Sequence, residues 1–450
     1  MSDRAAVRAV AGRGERETAD VVGLTHEGEG IIRAGKTVFV PGALPGETVS
    51  FERTRKHRQH DEGRLLEVLR PAAERVTPRC AHFGICGGCA LQHLAPEAQL
   101  SLKEQELRDN LARVARVECR TWLPPLRGPE WGYRRRARLG AKYVPKKAKV
   151  VVGFRERLAP YVADVQRCEV LAAPVGALVQ PLAELLGELD IRQQLPQIEV
   201  AVADNATALV LRVLQQPSER DLEKLRAFAA RHALRLFLQS GGLDSIEELA
   251  VAAGAEAVPL NYALPAFDLT LEFAPTDFVQ VNGPVNQALV TRALELLRPN
   301  AQSRVLDLYC GLGNFTLALA RCAGHVVGVE GAAGLVERAR HNARRNGLSN
   351  LEFHVGDLGK LTEQQSGWLR GPYTHVLIDP PRVGAAPEML AAIAALAPER
   401  VLYVSCHPGS LARDVAVLAH EHGFILESAG VVDMFPHTAH VESMALLVRP

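Results

Sequence analysis

The sequence predicts a multidomain α/β protein, with a small β-barrel first, a mixed α+β domain next and a doubly wound α/β domain last. At 450 residues, the chain is long enough for about three domains. Between residues 20 and 70, short strand patterns are separated by glycine and proline turns, which is typical of a small barrel. From Arg304 onward, apolar strands alternate with helices, and this order indicates a largely parallel sheet.

The composition is that of an ordinary globular protein, 47% hydrophobic and 23% charged, with a formal net charge of +1. No apolar run approaches the ~18 residues of a membrane-spanning helix, and the first residues lack the apolar core of a signal peptide. We therefore expect a cytoplasmic protein without a membrane partner. Separately, we expect a monomer. The low net charge means that a nucleic-acid partner would have to be recognised by local clusters of charge.

The predicted barrel contains a short basic run, Phe51 to Arg58, with four Lys or Arg and one acidic residue. This run fits either the solvated face of a strand or a contact with nucleic-acid phosphates, and the sequence favours neither. Three motifs nearby, Gly28-Glu-Gly30, Thr37 to Val40 and Pro45-Gly-Glu47, resemble the TRAM domain. The resemblance implies an OB-like barrel that binds RNA and is attached to RNA-modifying enzymes.

Three cysteines lie within ten residues, at Cys80, Cys86 and Cys89, and the glycines between them let the backbone wrap closely around a bound centre. In a reducing compartment, such density indicates a metal site more than a disulfide framework. The fourth ligand is expected at Cys168, because Cys119 falls within a predicted helix. Four thiolates suit either Zn²⁺ or an iron–sulfur cluster, and the spacing does not distinguish the two.

Residues 96–117 are predicted to form an amphipathic helix. The residues of its apolar face are Leu100, Leu107, Leu111 and Val114. Further along, residues 170–275 alternate helical and strand-like segments without a catalytic constellation. We interpret that stretch as a scaffold.

Residues 131–157 form a basic stripe, with ten Lys or Arg and only Glu156 as an acidic residue. The interleaved aromatic residues are Trp131, Tyr133, Tyr143 and Phe154. A charge run is usually a solvated face, but such a face normally carries counter-charges, and the local sequence lacks them. Cations that meet phosphates and exposed rings that stack on bases suit unpaired RNA, so we favour an RNA-binding role.

A strand, a glycine turn and a helix follow one another over residues 304–321. Gly311 and Gly313 let backbone amides approach a ligand beside the helix N-terminus. Position 316 is Thr instead of the third glycine of a dinucleotide-binding turn, which argues against NAD. Glu330 ends the next predicted strand, where a carboxylate can accept ribose hydroxyls. It forms a spaced acidic series with Asp307 and Asp357. The pattern is similar to the Rossmann-like class I S-adenosylmethionine-dependent methyltransferases.

The segment Asp379-Pro-Pro-Arg382 follows another predicted strand, and its two prolines keep the loop stiff. Amino-group methyltransferases resemble this loop but carry an aromatic residue after the prolines, where this chain has Arg382. RNA cytosine-C5 methyltransferases carry a cysteine in the loop, and this chain has none there. Neither class fits.

The apolar run from Val401 to Val404 predicts a buried strand, and Cys406 follows near its carboxyl end, where ligands bind in α/β sheets. Alone, Cys406 fits a buried structural thiol, and Glu442 fits a surface carboxylate. Beside a methyl donor, the two form a minimal set for methylating C5 of uracil. The thiolate adds to C6, which makes C5 nucleophilic, and the carboxylate later removes the C5 proton so that the thiol can leave.

Taken together, the motifs resemble those of the RNA 5-methyluridine methyltransferases, and the barrel and cysteines are closest to the branch that acts on 23S ribosomal RNA. These motifs are Asp277-Phe-Val-Gln280-Val-Asn282, Tyr309 to Asn314, Asp379-Pro-Pro-Arg382, Ser405-Cys406 and His440-Val-Glu442. The resemblance implies Cys406 as nucleophile and Glu442 as base, with a 1939-type uridine as the target. It implies a [4Fe–4S] cluster on Cys80, Cys86, Cys89 and Cys168. The S-adenosylmethionine ligands that it implies are Gln280, Tyr309, Asn314, Glu330, Asp357 and Asp379.

The resemblance also implies that the helix from Pro96 folds onto the catalytic domain. The expected segments are a mobile tail over 1–16, a barrel over 17–72, a central domain over 73–95 and 120–274, and a methyltransferase domain over 96–119 and 275–450. Two residues depart from the family pattern, since His407 replaces the usual Asn and Val383 replaces a common basic residue. The open alternatives are another rRNA or tRNA uridine, a non-catalytic RNA-binding assembly factor, and zinc at the cysteines.

Overall fold

A computed structural model describes residues 15–250, 258–361 and 367–450. The tail predicted over 1–16 lies outside the described residues except for its last two, and Arg16 already begins a strand. The chain divides into two compact units. The first holds the described residues up to 79 together with 89–99 and 437–439, and the second holds the rest. No helix in the described ranges is long and apolar enough to cross a membrane.

The first unit contains the predicted barrel. Its strands are β1 (Arg16–Leu24), β2 (Glu29–Ala34), β3 (Lys36–Pro41), β4 (Thr48–Lys56) and β5 (His60–Arg70). They pair in the order β1-β2-β3-β5-β4, and β4 closes the barrel against β1. Alternate residues point inward and form a small apolar core that includes Ile32, Val40 and Phe51.

The basic run of the barrel is partly neutralised by ion pairs. Arg53 Nε lies 2.8 Å from Glu17 Oε1, and Arg53 Nη1 lies 2.7 Å from Asp61 Oδ2. Arg53 therefore supports the barrel, whereas Arg55 and Lys56 are exposed at its surface.

The helix predicted over 96–117 is present, and its residues from Leu100 onward belong to the second unit. It is α1 (Pro96–Asn110), and one π-helical turn over Leu111–Ala115 continues it. The three predicted leucines are buried, but Val114 is 51% exposed and Ala115 is buried instead. A π-helical turn holds more residues than an α-helical turn, and it therefore moves the apolar face by one position.

The second unit contains a six-stranded sheet, which confirms the alternation predicted over 170–275. Its strands are β7 (Arg136–Val144), β8 (Lys149–Gly153), β9 (Gln197–Val202), β10 (Thr207–Arg212), β11 (Leu234–Gln239) and β12 (Ile246–Leu249). They pair in the order β12-β11-β10-β9-β7-β8. The helices α2 (Val175–Gly187) and α3 (Glu219–His232) contribute to its apolar core.

The rest of the second unit contains a separate hairpin of β13 (Leu260–Leu264) and β14 (Leu269–Phe273), and an eight-stranded sheet. Its strands are β6 (Thr121–Trp122), β15 (Arg304–Leu308), β16 (His325–Glu330), β17 (Leu351–Val355), β18 (His375–Ile378), β19 (Arg400–Ser405), β20 (Ile425–Val432) and β21 (Glu442–Val448). Its helices are α4 (Gly283–Leu297), α5 (Thr316–Ala320), α6 (Ala333–Arg345), α7 (Pro387–Ala395) and α8 (Pro408–His420).

The strand order β17-β16-β15-β18-β19-β21-β20-β6 decides where a ligand can bind. The five strands from β17 to β19 are parallel, and their order reverses between β15 and β18. A crevice opens at such a switch point beyond the carboxyl ends of the strands. The short strand β6 joins this sheet, although its residues fall within the predicted central domain.

Candidate active site

The antiparallel pairing of β19 with β21 brings Cys406 and Glu442 to neighbouring strand ends. Ser405 is the register partner of Ser443, so one further step along both strands sets Cys406 opposite Glu442. On the other side of β19, β18 runs parallel, and Asp379 follows it directly. A thiol and two carboxylates therefore meet at one edge of the sheet.

These three groups affect one another's ionisation. Burial raises the pKa of the Cys406 thiol to about 11, and Glu442 and Asp379 add to the increase, whereas Arg382 opposes it. Glu442 is only 4% exposed, and burial together with Asp379 raises its pKa above the usual range for a carboxyl. Loss of hydration likewise raises the pKa of Asp379. Near neutral pH, these two carboxyls are therefore protonated to a larger extent than ordinary carboxyls.

A cluster of cations lies near these acidic groups. The pKa of His440 is lowered by desolvation and then by the charges of Arg382, Arg134 and Lys103. Arg134 comes from the predicted basic stripe, so one end of that stripe reaches the candidate active site. Of these cations, Arg382 is exposed and Arg134 half-buried, and both are suited to RNA phosphates.

Lys103 is a residue that the sequence reasoning missed. It is 1% exposed, and its Nζ donates to Asp433 Oδ1 at 2.7 Å and to the Phe435 carbonyl at 2.9 Å. These contacts hold the segment that leads towards β21. The signal was available, because Lys103 falls between Leu100 and Leu107 on the apolar face of a predicted helix, where an unpaired charge is costly.

The turn after β15 forms the other side of the crevice. Tyr309 adopts a left-handed backbone with φ of 62°, which is costly for a residue with a side chain and is concentrated at functional sites. Gly313 has φ of 97°, and a Cβ there would collide with Leu317. Position 313 therefore favours glycine, because of its left-handed backbone and its close packing against Leu317 of α5.

Two predicted donor ligands accept backbone hydrogen bonds at the strand ends. Glu330 accepts from the Gly311 amide at 3.1 Å and from the Ala332 amide at 2.9 Å, one on each oxygen. Each carboxylate oxygen keeps another lone pair that can accept a ribose hydroxyl. Asp357 is exposed and accepts from the Gly359 amide at 2.9 Å.

Asn314 is held by two residues that the sequence reasoning did not single out. Its side-chain amide exchanges two hydrogen bonds of 2.9 Å with that of Asn286, and it also accepts one from the Tyr262 hydroxyl at 2.9 Å. Asn286 belongs to α4 and Tyr262 to β13, so no local spacing in the sequence could have revealed these partners of Asn314. Gln280 lies half-buried in the segment between β14 and α4.

Asp307 lies beneath the same crevice. Its Oδ2 accepts a hydrogen bond from the Thr316 hydroxyl at 2.5 Å. Burial raises the pKa of Asp307 to about 7, because the hydrogen bond does not replace the lost hydration and other carboxyls lie near it. From the sequence, Thr316 was considered only as a departure from the glycine pattern of dinucleotide-binding turns. In the structure, its hydroxyl donates a hydrogen bond to Asp307.

Three of the four predicted metal ligands approach one another in the second unit. Burial raises the pKa of the Cys86 thiol to about 11, and Cys168 and Cys80 contribute. The Gly88 amide donates to Cys86 Sγ at 3.4 Å, as is suitable for a thiolate. Among the described residues, no three His, Cys, Asp or Glu lie close enough to hold a single metal ion. The fourth ligand, Cys89, belongs to the first unit.

The helix predicted around Cys119 is wrong, since Cys119 lies in a loop after the π-helical turn. It packs against the apolar core of the catalytic sheet. The reason given for preferring Cys168 to Cys119 is therefore wrong, and the choice of Cys168 as a ligand stays a prediction.

Two expectations about the basic stripe are wrong. Its counter-charges come from distant segments, since Arg135 pairs with Asp204 and Arg138 Nη2 lies 2.9 Å from Glu199 Oε1. Its aromatic rings are not exposed, and the Tyr133 side chain is buried with its hydroxyl donating to a carbonyl. The prediction that RNA bases stack on these rings therefore loses its support. The prediction that the cations of the stripe meet RNA phosphates is not affected by the burial of the rings.

The departure at His407 has a local explanation. His407 is the N-cap residue of α8, and its Nδ1 accepts a hydrogen bond from the Ser410 amide at 3.1 Å. An Asn side chain performs the same capping, so the replacement preserves the start of the helix after Cys406. Val383, the other departure, is 74% exposed.

Comparison with known proteins identifies similar chains. A family model described as tRNA (Uracil-5-)-methyltransferase matches residues 266–450. The 23S rRNA (uracil(1939)-C(5))-methyltransferase RlmD of Methylococcus capsulatus is 47% identical over 432 residues, which cover 96% of each chain. The protein of that name from Alkalilimnicola ehrlichii is 49% identical over 95% of this chain and 96% of its own. The structure of Pyrococcus abyssi tRNA (uracil-54, C5)-methyltransferase with S-adenosyl-L-homocysteine has a TM-score of 0.72 at 23% identity, covering 96% of this chain and 100% of its own.

Proposed function

This chain belongs to the family of RNA uracil-C5 methyltransferases, and we propose that it methylates C5 of uridine 1939 in 23S ribosomal RNA. The relatives that match over nearly the whole chain are named for that reaction. The observation that carries the proposal is the pairing of Cys406 with Glu442 across β19 and β21, beside the crevice at the switch point.

The chemistry follows from these two side chains. Cys406 Sγ forms a bond to C6 of uracil, and this addition makes C5 nucleophilic enough to accept a methyl group. S-adenosylmethionine, when bound, supplies that methyl group on a positively charged sulfur. Glu442 then takes the proton from C5, and the electrons of the broken C5–H bond expel the thiolate from C6. Arg382 favours ionisation of the thiol at the first step.

We assign the donor site to the crevice between β15 and β18. Glu330 is suited to accept the ribose hydroxyls, because its carboxylate is oriented by two backbone amides. The side chains of Gln280, Tyr309, Asn314, Asp357 and Asp379 complete the proposed set. The strained backbone at Tyr309 supports this assignment.

Transfer of a labelled methyl group to a 23S rRNA transcript tests the function. We expect Cys406→Ala to abolish transfer and Glu442→Gln to accumulate a covalent protein–RNA adduct that survives a denaturing gel. Cys322→Ala, which removes an exposed thiol of the same domain, should retain full transfer. Methylation of uracil by Cys406→Ala would disprove the mechanism. Equal labelling of a transcript with cytidine at position 1939 would disprove the target.

We further propose that Cys80, Cys86, Cys89 and Cys168 bind a [4Fe–4S] cluster. The gathering of three thiols and the amide directed at Cys86 support a thiolate centre, and a four-iron cluster spreads its ligands more widely than a single ion. Anaerobically purified protein should absorb visible light and contain iron and sulfide. Colourless protein with zinc alone would contradict the proposal.

The finer domain assignment is also a proposal. The closed barrel supports a TRAM domain over 17–72, and the six-stranded sheet supports a central domain over 73–95 and 120–274. The burial of α1 leucines with the catalytic sheet supports a methyltransferase domain over 96–119 and 275–450. The monomeric state stays a prediction, which light scattering of the purified protein checks.

A further inference from the structure

A buried carboxylate on α8, that of Asp414, connects two segments of the candidate active site. Asp414 is 1% exposed, and its Oδ2 accepts hydrogen bonds from the Tyr403 hydroxyl at 2.6 Å and the Ala385 amide at 2.8 Å. Its Oδ1 accepts a third hydrogen bond from Arg413 Nε at 2.7 Å. A buried carboxylate is tolerated only when such partners replace its hydration, so these partners are held firmly together.

The partners of Asp414 lie close in sequence to the reacting groups. Tyr403 is in β19, three residues before Cys406. Ala385 lies three residues after Arg382, just beyond a turn over 381–384 that a backbone hydrogen bond of 2.8 Å closes. Arg382 occupies the first central position of that turn. One carboxylate thus links the strand that leads to the thiol with the turn that carries the arginine.

Arg413 holds the other side of the same turn. Its Nη2 donates to the Val383 carbonyl at 2.8 Å. Gly384 has φ of 82°, and a Cβ there would lie 2.5 Å from Asp414 Oδ2 and collide with the Arg413 guanidinium. Because only glycine fits this backbone and this space, the turn packs directly against the charged pair.

We propose that Asp414, together with Arg413, is a positioning residue that holds the Arg382 guanidinium beside the Cys406 thiol for nucleophilic attack. This inference rests on the proposed role of Cys406. The other charged side chains that act on the thiol are Glu442 on β21 and Asp379 after β18, and both disfavour the thiolate. Burial is the largest cause of the raised thiol pKa. Among these three side chains Arg382 alone lowers it, so its placement affects how readily the thiolate forms.

The test compares Asp414→Asn, Arg382→Gln and the double variant in full-length protein without RNA. Alkylation of Cys406 by iodoacetamide is followed against pH by mass spectrometry of the Cys406 peptide. For each unit by which the thiol pKa rises, a single variant should slow alkylation at mildly alkaline pH by about threefold. The thiolate population falls about tenfold, but the more basic thiolate is about threefold more nucleophilic. The double variant should be no slower than Arg382→Gln alone. Additive slowing, or no slowing in Asp414→Asn, would overturn the proposal.

Two further variants keep the test decisive. Tyr403→Phe removes one hydroxyl and leaves the Asp414–Arg413 pair in place, so it should slow alkylation in a folded protein even if Asp414→Asn does not fold. Unchanged alkylation in folded Tyr403→Phe would then overturn the proposal. Asp221→Asn is a matched control, since Asp221 is fully buried and accepts a backbone amide at 2.8 Å in the central domain. It should leave alkylation of Cys406 unchanged, and a slowing there would assign the effect to general destabilisation.

The alkylation test does not depend on turnover. If Cys406→Ala still transferred methyl groups, the proposed function would fail while the effect of Asp414 on the thiol could still be measured. If instead the double variant were additive, the positioning role would fail and the nucleophile would stand. The two failures are therefore distinguishable.

Discussion

Alkylation of Cys406 in the RNA-free protein provides a quantitative test of the electrostatics of the site. The thiol pKa is about 11 instead of an ordinary 9.0. Two pKa units reduce the thiolate population about a hundredfold at neutral pH. A more basic thiolate is also more nucleophilic, by about six- to tenfold over two units. We therefore expect Cys406 to react with iodoacetamide roughly ten times more slowly than an ordinary accessible thiol, before any further slowing by partial burial.

Glu442→Gln changes the pH dependence in a defined direction. Burial and Asp379 raise the pKa of Glu442, so its carboxyl is neutral below that raised value, and substitution removes no charge there. Above it, the ionised carboxylate opposes the thiolate, and Gln removes the opposition. The variant should match the native protein near neutral pH and react faster at alkaline pH.

Peptide-resolved mass spectrometry over a pH series measures both effects, with the exposed Cys322 in the same sample as the internal reference. Equal rates for Cys406 and Cys322 near neutral pH would refute the argument from burial. The ratio of the Glu442→Gln alkylation rate to the native rate should be larger at alkaline pH than at neutral pH. A larger ratio at neutral pH would refute the assignment of a raised pKa to Glu442.

Three further outcomes are expected. Lys103→Met should lower the free energy of unfolding by about 3–5 kcal/mol, because it leaves the Asp433 carboxylate without its buried partner. In thermal melting, the double variant Lys103→Met with Asp433→Asn should recover part of this loss. Gly313→Ala should weaken binding of S-adenosylhomocysteine in calorimetry, since φ of 97° and contact with Leu317 exclude a Cβ, and unchanged affinity would contradict the donor site. His407→Ala should cost about 1 kcal/mol of stability through loss of the helix cap, whereas His407→Asn should melt like the native protein.

Local pattern was sufficient for much of the catalytic sheet. The apolar run before Cys406 predicted β19, and a similar apolar run predicted the strand that ends in Glu330. Errors arose where distant segments act. Val114 was placed on the apolar face because the period of an α-helix was assumed through a π-helical turn. The basic stripe was thought to lack counter-charges because Glu199 and Asp204 lie far along the chain.

The sequence by itself determined the chemistry, since the thiol at a strand end, the glycine turn and the two prolines of the loop after β18 are encoded in neighbouring residues. Only the tertiary structure decided how these parts meet. Glu442 faces Cys406 because β21 runs antiparallel to β19, and Asp414 holds the turn of Arg382 because α8 packs over it. The physical reason is that strand order and burial arise from packing between remote segments, whereas periodicity reports only the face that each segment buries.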